Sequence, residues 1–155
     1  MTTANSKPWQ KIVNEHRLRV TYRDTDRMGF VYYANYLVWF EAGRTEFLRQ
    51  TGHSYREFEE MGYVLPVVRC VCEYKKPAHY DDIICIRTHI KELSRAGVTF
   101  YYQVLRDAEG ELLAEGETKH VIVSREGKIV RAGDILEAWL RPVQNHAQGE
   151  GDNCK

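Results

Sequence analysis

Residues 35–50 read as one helix whose first turns, Tyr36-Leu37-Val38-Trp39-Phe40, are apolar almost all round. A helix laid on a surface keeps a polar face, so this one calls for enclosure. Asn35 offers an N-cap and Gly52 a stop, which fixes the helix length. Gly43 lies in its middle, where it costs roughly 1 kcal/mol of propensity relative to Ala. Close approach to a neighbouring backbone is the expected compensation.

What encloses the helix must come from the strand-like patterns around it. Before it, Leu18, Val20 and Tyr22 alternate with Arg17, Arg19, Thr21 and Arg23, a strand with one buried face. After it, Ser54-Tyr55-Arg56-Glu57 forms a capping box for a short helix that runs to Met61 and stops at Gly62. Four strand patterns follow. Val64, Pro66, Val68, Cys70, Cys72 and Tyr74 line one face of the first, and Ile84, Ile86, Thr88 and Ile90 alternate through the second. The third spans residues 98–106 and the fourth 112–124, with turns at Ser94-Arg95-Ala96-Gly97 and Asp107-Ala108-Glu109-Gly110. Asp134 is placed to cap a last helix through Trp139, ended by Pro142. The sum is an α+β chain: a five-stranded antiparallel sheet curled around one long central helix. Residues 1–14 read as a loose tail, 15–142 as one domain and 143–155 as a flexible tail.

At 155 residues this domain builds its core without staples. The 22 basic and 22 acidic residues cancel, which removes the electrostatic footprint of a nucleic-acid partner. No apolar run is long enough to span a membrane and no signal peptide is visible, so the expected setting is cytoplasmic. Cys70, Cys72, Cys85 and Cys154 lack the spacing of a metal set and read as free thiols of a reducing compartment. The six histidines are equally scattered, and His89 and His120 fall within strands as structural residues.

Chemistry concentrates between the first strand and the long helix, in Tyr22-Arg23-Asp24-Thr25-Asp26-Arg27-Met28-Gly29-Phe30-Val31-Tyr32-Tyr33-Ala34-Asn35-Tyr36. Two carboxylates end an alternating run, a Gly-containing turn follows, and an aromatic segment opens the helix. That layout holds an acid against a helix N-terminus, with its unpaired N–H groups and positive dipole end. A carboxylate beside a carbonyl-polarising N–H is a minimal kit for acyl transfer. Asp26 also suits an Asx turn, and Asp24 suits an ion pair or a turn cap. Asp24, two residues before Asp26, lies close enough for mutual repulsion to raise one pKa. Glu41 and Arg44, three apart on the long helix, are spaced to pair.

The stretch closely resembles the active-site segment of the hot-dog acyl-CoA thioesterases, the 4-hydroxybenzoyl-CoA thioesterase-like family. The resemblance covers residues 16–140. It extends through Phe40-Glu41-Ala42-Gly43-Arg44-Thr45-Glu46, Leu65-Pro66-Val67-Val68, Tyr74-Lys75-Lys76-Pro77-Ala78-His79-Tyr80-Asp81-Asp82 and Ala114-Glu115-Gly116-Glu117-Thr118-Lys119-His120. It implies the hot-dog fold and hydrolysis of an acyl-CoA thioester, with no metal or cofactor. Asp26 matches the catalytic carboxylate, acting as nucleophile through a mixed anhydride or as general base on water. Tyr33 matches the position whose backbone N–H polarises the carbonyl; several relatives carry His there, where this chain has Tyr. Tyr22, Met28, Gly29, Val31, Asn35 and Glu41 are the implied substrate-binding residues. Lys91, Arg95 and Lys119, with Lys128 nearby, are the implied contacts to CoA phosphates. The implied assembly is a homo-oligomer, a dimer at least and a tetramer as the usual form, with the substrate tunnel between subunits.

Two further readings stay open. A second branch of hot-dog thioesterases uses a helix carboxylate, which would make Glu41 the base. A non-catalytic acyl-CoA-binding module is the alternative in another class, and it gives no reason to keep Asp26 and Gly29. A hydratase on the same fold needs a His paired with an acid, and residues 17–52 contain no His.

Overall fold

The computed structural model describes residues 6–140. The expected flexible tail over 143–155, with Cys154, and the expected helix stop at Pro142 lie outside the described residues. Strand β1 (Asn14–Arg19) leads into the long helix α1 (Asn35–Gln50) and the short helix α2 (Tyr55–Glu60). Then come β2 (Tyr63–Val64), β3 (Val67–Tyr74), β4 (Ile83–Leu93), β5 (Gly97–Arg106), β6 (Glu111–Val121), β7 (Val123–Ser124) and α3 (Gly133–Trp139). Five strands form one antiparallel sheet in the order β1-β4-β5-β6-β3, and β2 pairs with β7 beside it. No helix of the described residues is long and apolar enough to cross a membrane.

The sheet curls over α1 because its inward residues are shaped to receive the helix. Phe40 stacks on Tyr102 with ring centroids 4.3 Å apart and planes 6° from parallel. Gly116 of β6 leaves the space that the Phe40 ring fills, since a Cβ there would lie 2.9 Å from that ring. Gly43 plays the reciprocal part on the helix. A Cβ would stand 2.5 Å from Thr88 Oγ1 and 2.8 Å from Ile86 Cγ2, so the close approach is to side chains of β4, not to backbone.

Several sequence expectations are corrected. Residues 8–12 are not loose: Pro8–Lys11 form a 3-10 turn and Trp9 is buried at 6% exposure. The first strand ends at Arg19, and Tyr22 opens a second 3-10 turn instead of continuing the buried face. Val64 belongs to the small β2–β7 pair, and β3 begins after it with a bulge between Val67 and Arg69. Ala34, not Asn35, is the N-cap of α1, and Ala132, not Asp134, precedes α3. The helix is also less enclosed than its composition suggests. Tyr36, Trp39 and Phe40 are buried, but Leu37 is 42% and Val38 60% exposed in the single chain.

Candidate active site

The loop between β1 and α1 is held by its own hydrogen bonds. Thr25 bridges Val31. The Asp26 N–H donates to the Phe30 carbonyl at 2.8 Å, and the Gly29 N–H to the Asp26 carbonyl at 3.0 Å. Gly29 has φ +81°, the left-handed conformation a side chain resists, so the tight turn depends on glycine there. The Asp26 carboxylate accepts the Met28 N–H at 2.8 Å, the Asx turn that its position also suits. One carboxylate oxygen is thereby fixed, and Asp26 is half-buried in the wall of a cleft.

Asp24 is turned to other work. Its carboxylate accepts both the N–H and the hydroxyl of Thr21 at 2.8 Å, capping the 3-10 turn. Its carbonyl accepts the Tyr32 N–H and the Asn35 side-chain amide, each at 2.8 Å. Asn35 therefore clamps the loop to the head of α1, a different service from the cap its sequence position suggests.

The head of α1 supplies donors. The Tyr32 carbonyl accepts the Asn35 N–H at 2.9 Å. Because a trans peptide points its C=O and N–H in opposite directions, the Tyr33 N–H is aimed off the N-terminal end of the helix. Among the described residues neither the Tyr33 nor the Ala34 N–H has a protein acceptor. Tyr74 of β3 donates its hydroxyl to the Tyr33 carbonyl at 2.9 Å and so fixes the next peptide plane as well. The Tyr33 ring is 62% exposed and packs on Tyr32 at 4.8 Å. The neighbouring Tyr33 phenol pushes the Tyr32 phenol above its ordinary value.

These groups meet in one open cleft of about 420 Å³. Asp26, Met28, Val31 and Tyr33 line it together with Phe30, Tyr32, Tyr74, Lys75, Lys76 and Pro77. The Tyr74-Lys75-Lys76-Pro77 segment was part of the family resemblance, but only tertiary pairing of β3 reveals that it faces Asp26. Burial and the neighbouring Cys72 thiol push the Tyr74 phenol well up, so it remains a neutral donor.

Other expected site residues stand elsewhere. Tyr22 is 80% exposed with its ring against Tyr80. Gly29 and Asn35 shape the loop without lining the cleft. Glu41 lines a separate cavity of about 120 Å³ with Arg44, Thr45, Leu48, Tyr55, Leu65, Phe100 and His120. The Glu41–Arg44 pair does not form: Arg44 enters no ion pair among the described residues. Lys91, Arg95 and Lys119 do not border the cleft of their own protomer. Lys91 binds Glu117 at 2.7 Å, while Lys119 edges a shallow depression beside β5. No group of three or more metal-ligating side chains occurs among the described residues.

Behind the small cavity runs a buried polar chain. Burial, and after it the nearby Arg44 charge, lower the His120 pKa and favour the neutral ring. Its Nδ1–H donates to the Leu65 carbonyl at 2.9 Å, so its bare Nε2 accepts from the Thr118 hydroxyl at 2.8 Å. Thr118 in turn accepts from the Tyr102 hydroxyl at 2.6 Å. Burial raises that phenol to about 12.

Asp26 and Tyr33 thus line one cleft beside the head of a sheet-wrapped helix, and the model of the thioesterase-like superfamily matches residues 20–140. The chain belongs to the thioesterase-like superfamily. Within it the chain is 37% identical over 114 residues to YneP of Bacillus subtilis, a protein named for an acyl-CoA thioesterase activity; the match covers 74% of this chain and 82% of YneP. It is 35% identical over 106 residues to the acyl-CoA thioester hydrolase YbgC of Escherichia coli O6:H1, covering 68% and 78% of the two chains. Among solved members of the superfamily, a DHNA-CoA thioesterase from Staphylococcus aureus superposes with a TM-score of 0.76 at 27% identity, covering 82% of this chain and 85% of that one. The architecture is the hot-dog fold.

Proposed function

We propose that this protein hydrolyses acyl-CoA thioesters in the cleft between the Asp26 loop and β3. The observation that carries the reading is the placement of the Asp26 carboxylate in the same cleft as Tyr33, whose N–H is unpaired at the head of α1. The thioester carbonyl oxygen accepts from that N–H, which stabilises the oxyanion as the tetrahedral intermediate forms. Asp26 either attacks the carbonyl carbon, so that the CoA thiolate leaves and water then hydrolyses the mixed anhydride to the free acid, or takes a proton from the attacking water, which the departing CoA thiolate takes up in turn. The names of YneP and YbgC support acyl-CoA as the substrate class.

The working unit is a homo-oligomer, with a dimer as its minimum. Leu37 and Val38 on α1 and Val67 and Val68 on β3 are exposed apolar side chains, and among the described residues the outer edge of β3 is unpaired. An open edge with apolar side chains calls for cover. A second subunit seated there would close the cleft and bring its own Lys91, Arg95 and Lys119 toward the CoA phosphates. Free thiols at Cys70, Cys72 and Cys85 support a reducing, cytoplasmic setting.

A thiol-release screen over a panel of acyl-CoA substrates tests the reading. Turnover of at least one acyl class supports it. Tight acyl-CoA binding with no thiol release from any member would favour the non-catalytic binding module instead.

A further inference from the structure

The face of α1 that carries Leu37 runs on through Glu41 and Arg44 to Leu48, at helical spacings of four, three and four residues. Tyr33 lies one step before it, at the cleft. At 1.5 Å per residue, the distance from Tyr33 to Arg44 along the helix is about 16 Å. The stripe runs along α1 from beside the Asp26 cleft to the small cavity lined by Glu41, Arg44 and Leu48.

That cavity gathers donors that have no carboxylate partner among the described residues. Arg44 is half-buried and has no carboxylate partner among the described residues, yet its guanidinium presents five N–H groups. The Tyr55 oxygen accepts the Leu65 N–H at 3.1 Å, which leaves the Tyr55 hydroxyl proton to give. His120 adds neither charge nor a free donor, because both its nitrogens are engaged. Glu41 stands at the solvent side of the cavity, exposed, so its charge is screened by water. Phe100, Leu65 and Leu48 form apolar walls. The volume of about 120 Å³ holds an end group of a few heavy atoms.

We propose that this cavity is the subsite for the far end of the acyl chain and that it selects chains ending in a carboxylate. A carboxylate takes the Arg44 fork in two parallel hydrogen bonds and the Tyr55 proton in a third, whereas a methyl end leaves all of them unpaired. An extended saturated chain advances about 1.25 Å per carbon–carbon bond, so a twelve-carbon chain covers about 14 Å, and the Arg44 side chain, tilted toward the helix N-terminus, reaches back over the remainder. The inference rests on the hydrolase reading for its substrate and on Arg44 for its selectivity.

The test compares dodecanoyl-CoA with dodecanedioyl-CoA by thiol release, and the two free acids by titration calorimetry, on the wild type, Arg44→Met, Arg44→Lys and Tyr55→Phe. The wild type is expected to favour the carboxylate-ended thioester at least tenfold in kcat/KM, mainly through KM. Arg44→Met brings that ratio to near one, Arg44→Lys restores part of it, and Tyr55→Phe lowers it severalfold. Acid binding follows the same order. A ratio that Arg44→Met and Tyr55→Phe leave unchanged, or a wild-type preference for the methyl-ended chain, overturns the proposal. Arg44-dependent binding of the diacid without turnover of either thioester supports the subsite and overturns the hydrolase reading. If Arg44→Met does not fold, Tyr55→Phe and Arg44→Lys carry the comparison.

Discussion

The Tyr74 hydroxyl donates to the Tyr33 carbonyl at 2.9 Å and thereby ties the edge strand β3 to the head of α1. That bond sets the peptide plane adjoining the proposed oxyanion donor, yet it touches no reacting atom. Tyr74→Phe is expected to cost about 1 kcal/mol of stability, the usual worth of one hydrogen bond. Turnover should fall by about tenfold or less, mostly in kcat, because the donor loses orientation and not existence. Steady-state kinetics with urea unfolding separates the two effects.

Gly43 should not tolerate a methyl group. Alanine gains about 1 kcal/mol of helix propensity over glycine, but the new Cβ would meet Thr88 Oγ1 at 2.5 Å and Ile86 Cγ2 at 2.8 Å inside the core. Overpacking of this kind typically costs ~1–3 kcal/mol, so the clash wins. Chemical denaturation of Gly43→Ala is expected to show a lower midpoint with an unchanged slope.

His120 makes stability depend on pH. Burial lowers its pKa in the folded chain below the ordinary value, and His89 is lowered by burial as well. The unfolded chain then binds more protons between the folded value and the unfolded value of about 6.5. The contribution is whole above about pH 6.5 and is lost as pH falls through that window toward the depressed folded value. Glu15, Glu111 and Glu117, lowered chiefly by hydrogen bonds from Arg87, Lys76 and Lys91, act in a separate, more acidic window. Urea unfolding at pH 7.5 and 5.5 should show a smaller pH-dependent loss for His120→Asn than for the wild type, even though the variant is less stable at both.

Val68 tests the assembly. It is exposed on the open edge strand, so Val68→Glu should leave the protomer fold intact while blocking cover of β3. Light scattering is expected to report a dimer or tetramer for the wild type and a monomer with little activity for the variant. A fully active monomer would remove the shared-cleft account.

Much of this was legible in the sequence where one periodicity or one local motif decides. The run through Ile84, Ile86, Thr88 and Ile90 became the inward face of β4, and Ser54 caps α2 by accepting the Glu57 N–H. The Asp26 loop was legible for the same reason, since its turn is closed by bonds among near neighbours. Trp9 was not, because one aromatic in a polar stretch carries no period and its burial depends on tertiary packing. Tyr22 continues the alternation of β1 on paper, but the Asp24 carboxylate captures Thr21 and bends the chain first. The place of Tyr74 in the cleft needed the pairing of β3 with β6, and the spacing of Glu41 and Arg44 permitted a pair that does not form in the protomer. Local geometry is written in the sequence; adjacency across the sheet is not.

Asp26→Asn tests the central claim most directly. Asparagine keeps the size and an oxygen to accept the Met28 N–H, so the Asx turn and the fold should persist. It removes the nucleophile or base, a loss typically of 10²-fold or more in rate. With circular dichroism and light scattering unchanged, thiol release from the best acyl-CoA of the panel is expected to fall at least that far, while Glu41→Gln loses far less. Comparable kcat in Asp26→Asn and the wild type would contradict the account.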